Sequence, residues 1–185
     1  MSESLSAQVL PLSGDRERPL RWLMFWMFVP SGVLLLIMFS LALTHGVPLW
    51  LAGSALLGPL VLLQLLYLFL ASRIRRAGVA LNAQAIGIDS GVSSRLVALR
   101  QLAPRGLREV DLELHPDLRP LLRTMGIGLP GFSGGWYRLR NGRKALCLLT
   151  ERQRVCVLED DVGVMYLLSL ADPTPLEQAL RNAIR

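Results

Sequence analysis

Trp22–Leu43 reads WLMFWMFVPSGVLLLIMFSLAL and Leu49–Leu70 reads LWLAGSALLGPLVLLQLLYLFL, and these two runs decide the architecture. Neither holds a charged residue, and the most polar side chain of the second is Gln64. An α-helix rises about 1.5 Å per residue, so about 20 apolar residues cross the hydrocarbon core of a bilayer. Each run is long enough. Only Thr44–Pro48 separates them, a linker suited to a tight turn. The runs therefore predict an antiparallel transmembrane hairpin over residues 21–72, with helices at about 22–44 and 49–71. A cleaved signal peptide fits the first run poorly, because the apolar core is too long and a second run follows directly.

Arginine placement orients the hairpin. Arg16, Arg18 and Arg21 precede the first run, Arg73, Arg75 and Arg76 follow the second, and the connecting turn carries none. The positive-inside rule then predicts a multi-pass protein with both termini in the cytoplasm. Trp22, Trp26 and Trp50 lie near the run ends, where an indole sits among lipid headgroups. Pro30–Gly32 and Gly58–Pro59 interrupt the runs and predict modest kinks. The sharper alternative makes the kinks and Gln64 an intramembrane contact, since amides hydrogen-bond across helices. A channel or pump is disfavoured, because its path is normally marked by ionisable groups.

The chain has 185 residues and a formal net charge of +6. Residues 73–185, the length of one small domain, hold 17 basic and 11 acidic residues, and Lys144 is the sole lysine. Excess arginine beside a cytoplasmic leaflet is attracted to anionic lipid. The expected partners are therefore membrane lipids and not nucleic acid. Cys147 and Cys156 lack the neighbouring His or Cys of a zinc site, and read as small apolar core residues in a reducing compartment. Residues 1–20 are polar and mixed, and read as a disordered cytoplasmic tail that ends in a charged collar, Asp15–Arg21.

Beyond Arg76 the pattern shortens and alternates. Ala83–Ser90, Ser93–Leu102 and Gly106–Leu114 read as strands with one buried face. His115–Arg123 is irregular, and Thr124–Gly135 reads as a Gly-rich loop. Trp136–Arg140 and Arg143–Thr150 read as a hairpin around Asn141–Gly142, the preferred pair for a type I′ turn. Arg154–Leu158 follows as a neighbouring strand that sets Cys156 opposite Cys147, then Glu159–Gly163 as a turn and Val164–Ser169 as a strand. Thr174–Glu177 has the form of a capping box with Pro175 in the first turn. Leu176, Ala179, Leu180, Ala183 and Ile184 then give a helix over about 174–184 one apolar face. The fold class expected is a two-helix membrane hairpin plus an α+β domain.

About seven strands and a terminal helix in this order match an antiparallel sandwich or barrel closed by a C-terminal helix. The stretch Arg123–Thr150, continuing to Arg154 and Val155, resembles the bacterial PH-like (pleckstrin homology-like) domain family. The resemblance covers roughly Asn82–Ala171, and the Gly-rich segment entering Trp136 is its most specific part. It implies a PH-like sandwich carried on membrane helices of a bacterial inner membrane, and no particular activity.

Gly126-Ile-Gly-Leu-Pro-Gly131 matches the letters of a dinucleotide fingerprint, but Pro130 and a strand follow where a helix is required. Gly126, Gly128 and Gly131 are instead expected to serve a loop with positive φ and close backbone approach. A secondary role for them is to cradle an anion or a peptide carbonyl with consecutive amides. Trp136, Arg138 and Arg140 are expected to share one face, with Arg143 and Lys144 just beyond the turn. The plain reading is a solvated basic face, and the functional one a surface for anionic phospholipid or an acidic protein. His45 and His115 lack partners for acid–base chemistry. The sequence thus predicts a non-catalytic, membrane-anchored adaptor that binds a protein partner or a second copy of itself. It requires no metal, cofactor or small-molecule substrate. The alternative is a lipid-sensing module.

Overall fold

Helix α1 (Glu17–His45) and helix α2 (Leu49–Arg76) take up the two apolar runs. The structure is a computed structural model that describes residues 8–14, 17–45, 49–102 and 107–184. It divides into a helical unit, Glu17–Ser72, and a β unit built from the segments on either side. Both helices are long and apolar enough to cross a membrane by length and composition, with mean hydropathy 2.1 over Glu17–Leu41 and 1.3 over Gly58–Arg76. Glu17 lies in the first turn of α1, and Arg73, Arg75 and Arg76 lie in the last turn of α2. Both placements suit the helix dipole.

Phe28 and Tyr67 meet edge to face, ring centroids 5.7 Å apart. They lie nearly equal distances along the chain from residues 46–48, as an antiparallel hairpin requires. The turn itself falls outside the described residues. Pro30 and Pro59 sit inside their helices, and the Ser31 hydroxyl donates to the Met27 carbonyl at 2.7 Å. Gln64 is exposed on α2 and makes no hydrogen bond within the hairpin among the described residues.

The β unit holds two sheets. The first contains β1 (Gln8–Leu10), β2 (Gly78–Leu81), β3 (Ala85–Asp89) and β4 (Ser94–Ala98) in that order, antiparallel throughout. Leu10, Val79, Leu81, Ile86, Ile88 and Val97 are buried on one face, while Val9 and Leu96 point out. The expected disordered tail is thereby corrected for residues 8–14. Leu10 pairs with Val79, Leu12 bridges Leu170, and the Ser13 amide donates to Ser169. Three strand residues among Ser and Pro are too short a run for the alternation to show.

Leu99–Leu102 turns into a short helix, α3, and not the end of a strand. Its buried residues, Leu99 and Leu102, are three apart, the spacing of one helical face. The second sheet contains β5 (Arg108–Val110), β6 (Pro120–Leu129), β7 (Phe132–Leu139), β8 (Lys144–Leu149), β9 (Val155–Glu159) and β10 (Met165–Leu168). The expected third strand is thus cut to three residues. Asp111 ends it, its carboxylate accepting the Glu113 amide at 2.7 Å and its carbonyl the His115 amide at 3.0 Å.

The order of this sheet is β5-β9-β10-β8-β7-β6. It is not antiparallel throughout, because β10 runs parallel to β8. Nor do the cysteines face each other. Strand β10 lies between, with Leu167 opposite Cys147 and Leu168 opposite Cys156. The cause is burial on both faces: Ala145–Leu149, Val155–Leu158 and Met165–Leu168 are buried at every position. Such runs are apolar throughout and carry no alternation from which to read neighbours.

The Gly-rich stretch is a hairpin and not a loop. Residues 120–129 pair with 132–139 around Pro130–Gly131, where Gly131 has φ +80°. Proline followed by a positive-φ glycine is the pairing a type II turn requires. The β7–β8 turn is not type I′, since Gly142 is at φ +80° and Asn141 is not positive. The Gly142 amide donates to Leu139 and the Leu139 amide to Arg143, a three-residue loop with a glycine bulge.

Helix α4 (Thr174–Ile184) closes the unit, burying Leu176 and Leu180 and packing against α3. Its cap is not the expected Thr174–Glu177 box. The Asp172 carboxylate accepts the Thr174 amide at 3.0 Å, and the Thr174 hydroxyl and amide hold it below the usual carboxylate range. Glu177 instead pairs with Arg181 at 2.6 Å.

Gly126 and Gly135 are cross-strand partners whose backbones approach too closely for side chains. Gly135 also has φ +128°. Gly135→Ala should therefore destabilise the β unit by at least about 1–3 kcal/mol. Thermal unfolding of the full chain in mild detergent checks this, and an unchanged midpoint would refute the close-packed hairpin.

Candidate functional site

Strand alternation sorts β7 into two faces. Tyr137 and Leu139 join Leu112, Ala145, Cys147, Leu149, Val155, Val157, Met165 and Leu167 in one core cluster. Trp136 and Arg138 lie on the other face. Trp136 is half-buried between two cations: Lys144 Nζ is 4.6 Å from its ring centroid and Arg95 Cζ is 5.5 Å away. Such distances are attractive through the ring quadrupole.

Arg138 and Lys144 are directly opposed across β7 and β8. Opposed like charges destabilise a sheet, and neither has an acidic partner among the described residues. Arg143 is withdrawn from this group. Its guanidinium pairs with Glu159 and donates to the Gly163 carbonyl. Arg140 stands in the turn beyond β7, its amide donating to Arg119. The structure therefore gathers Trp136, Arg138 and Lys144 and separates Arg140 and Arg143. It adds Arg95, from β4. That residue lies in the other sheet, and no local pattern pointed to it.

The glycine candidates take different places. Gly126 serves close approach, Gly131 the turn, and Gly128 leaves room for the Arg123 guanidinium and the Tyr137 hydroxyl. Being in a strand, Gly126 and Gly128 do not form the run of loop amides that an anion cradle needs.

Strand β6 is the outer strand of its sheet, and its far edge pairs with no strand among the described residues. It exposes Leu121 (65%), Leu122 (59%) and Met125 (50%). A second feature is a groove on the outer face of the first sheet. Small residues Gly78, Ala80 and Gly87 form it, with Val9, Leu96 and Arg76 alongside.

Buried titratable groups lie elsewhere. Cys147 and Cys156 are free and buried, and desolvation raises both thiols, Cys156 to about 11. Among the described residues no three His, Cys, Asp or Glu gather as a metal-binding group. Tyr166 donates to the Asp160 carboxylate at 3.0 Å, and Asp160 also accepts the Val164 amide at 2.7 Å. Burial first, then the Asp160 hydrogen bond and charge, push the Tyr166 phenol up to about 12.

An unfolded tyrosine loses its proton near pH 10. The Tyr166 contribution to stability is therefore full below pH 10 and falls between pH 10 and about 12. Tyr166→Phe should flatten that alkaline decline and cost about 1–3 kcal/mol, because buried Asp160 loses a donor. Unfolding midpoints measured from pH 8 to 12 test both effects.

Compared with known proteins, the chain matches no family model, no curated protein and no solved structure.

Proposed function

We propose that this chain is a non-catalytic adaptor anchored in the inner membrane by α1 and α2, with both termini on the cytoplasmic side. Its β unit, of the PH-like kind, holds a protein partner or a second copy of itself by strand addition. The supporting observation is β6: ten residues long, unpaired on its outer edge among the described residues and exposing Leu121, Leu122 and Met125. Edge strands are normally short, charged or covered, because an open ladder pairs with other chains. Main-chain bonds then supply affinity and the exposed side chains specificity. Membrane insertion is supported by the all-round apolar surface of the hairpin, where Phe25, Leu36, Leu62 and Leu68 are exposed. The resemblance to PH-like domains rests on the Arg123–Thr150 stretch, and the parallel β8–β10 pair departs from an antiparallel sandwich.

A second reading, direct binding of anionic lipid, is favoured by one observation. Arg138 faces Lys144 beside Arg95, with no acid among the described residues to offset either member of the pair. An anionic headgroup would relieve that repulsion.

Affinity purification from the native host in mild detergent separates the two. The full chain should retain a stoichiometric protein partner. A chain ending at Gly78, and the L122K/M125K variant, should both lose it, the latter with an unchanged unfolding midpoint. A partner kept by the shortened chain moves recognition to the helices. Retention of anionic phospholipid alone, abolished by R138E/K144E and by raised salt, establishes the lipid reading instead.

A further inference from the structure

A cavity of about 420 Å³ lies on the core-cluster side of the β6–β7 hairpin. Its apolar lining includes Leu112, Tyr137 and Leu149, and its polar lining Arg123, Ser133 and Arg152. The cross-strand register sets Arg123 against Tyr137 and Gly128 against Ser133. A Cβ on Gly128 would stand 3.2 Å from both Arg123 Nη1 and Tyr137 Oη. The missing side chain is thus what lets the guanidinium lie beside the phenol at the cavity wall.

The donors at this wall are unequal. The Tyr137 hydroxyl is already committed, donating to the Ile127 carbonyl at 3.1 Å. The Arg123 guanidinium has no hydrogen-bond or ion-pair partner among the described residues, and neither has that of Arg152. Glu151 is the one acid in the lining, and its carboxylate lies against Gly14 instead. The site therefore offers an unspent guanidinium fork above an apolar floor. At about 30 Å³ per water, the cavity volume equals roughly 14 waters. That is room for a carboxylate with one apolar side chain.

We propose that this cavity binds a carboxylate borne beside an apolar side chain, with Arg123 as the carboxylate's partner. A planar guanidinium matches a carboxylate in two parallel hydrogen bonds, and Leu112, Tyr137 and Leu149 receive the side chain. Two sources supply this chemistry: the C-terminus of a polypeptide, or a free small acid. The cavity shares Leu121 with the exposed surface of β6 but not Leu122 or Met125, so the L122K/M125K variant separates this site from strand addition.

The test titrates N-acetyl-leucine into the full chain in neutral detergent while the arginine side-chain and tyrosine ring NMR signals are followed. Saturable shifts at Arg123 and Tyr137 are expected. N-acetyl-leucinamide and acetate should bind at least tenfold more weakly, since one lacks the charge and the other the apolar group. R123Q should lose binding while the remaining signals keep their positions, and R123K should retain only part of it. A hexapeptide ending in a free leucine carboxylate identifies the source. Tenfold tighter binding than N-acetyl-leucine assigns a chain terminus, and equal or weaker binding a free acid. Equal binding of acid and amide, or an R123Q variant that binds as before, overturns the proposal. Should R123Q fail to fold, the comparison of acid with amide in the unaltered protein still decides it.

Discussion

Three strands of the second sheet, β8, β10 and β9, have no polar face. From Ala145 to Leu149 and from Met165 to Leu168 every residue is buried. A sheet of this kind is stable only when both of its sides are covered. On one side the segment carrying Val110, Leu112 and Leu118 lies over the cluster around Cys147 and Leu167. The opposite side presents Leu146, Leu148, Leu158, Tyr166 and Leu168, all buried. The first sheet has a buried apolar face of its own, and Leu176 and Leu180 of α4 are buried as well. The Tyr166–Asp160 hydrogen bond is the polar exception there, and it is satisfied within the core.

Legibility in the sequence followed this burial. The helices were legible because long uncharged runs have few alternatives, and α4 because its apolar residues recur at helical spacing. Strands with one half-buried side, such as Ala85–Asp89, showed their alternation. The central strands did not show their order, because side chains buried on both sides carry no period. The Gly-rich segment misled for a local reason. Gly126, Gly134 and Gly135 occur where two backbones crowd, yet glycine by composition marks a loop. Of the candidates, Trp136 and Arg138 were legible from strand periodicity, and Lys144 only from its place just beyond the turn. Arg95 and Arg123 were not, since the first comes from the other sheet and the second gains meaning only from its register with Tyr137 and Gly128.

Charge is distributed unevenly over the two sides of the β6–β7–β8 hairpins. Arg143 is neutralised by Glu159, and Arg119 is spent on the Leu112 and Glu113 carbonyls at 2.6 and 2.8 Å. These arginines hold loops in place. Arg123, Arg138 and Lys144 have no ion pair or side-chain hydrogen bond among the described residues, although Lys144 lies over the Trp136 ring. A basic composition alone therefore says little about binding. The distinction lies in which guanidinium groups the fold leaves uncommitted.

The pairing of β1 with β2 has a consequence in time. Strand β1 precedes both apolar helices and its partner β2 follows them, so the helical hairpin is an insertion between two adjacent strands. On a ribosome, Gln8–Leu10 emerges first and waits while the next 67 residues are made. The first sheet then closes a loop that contains the entire hydrophobic hairpin. Its completion therefore waits on the synthesis of both apolar helices. The entropic cost of closing so long a loop grows only slowly with length, so a hairpin of this size can be carried between two paired strands with little further penalty to the sheet.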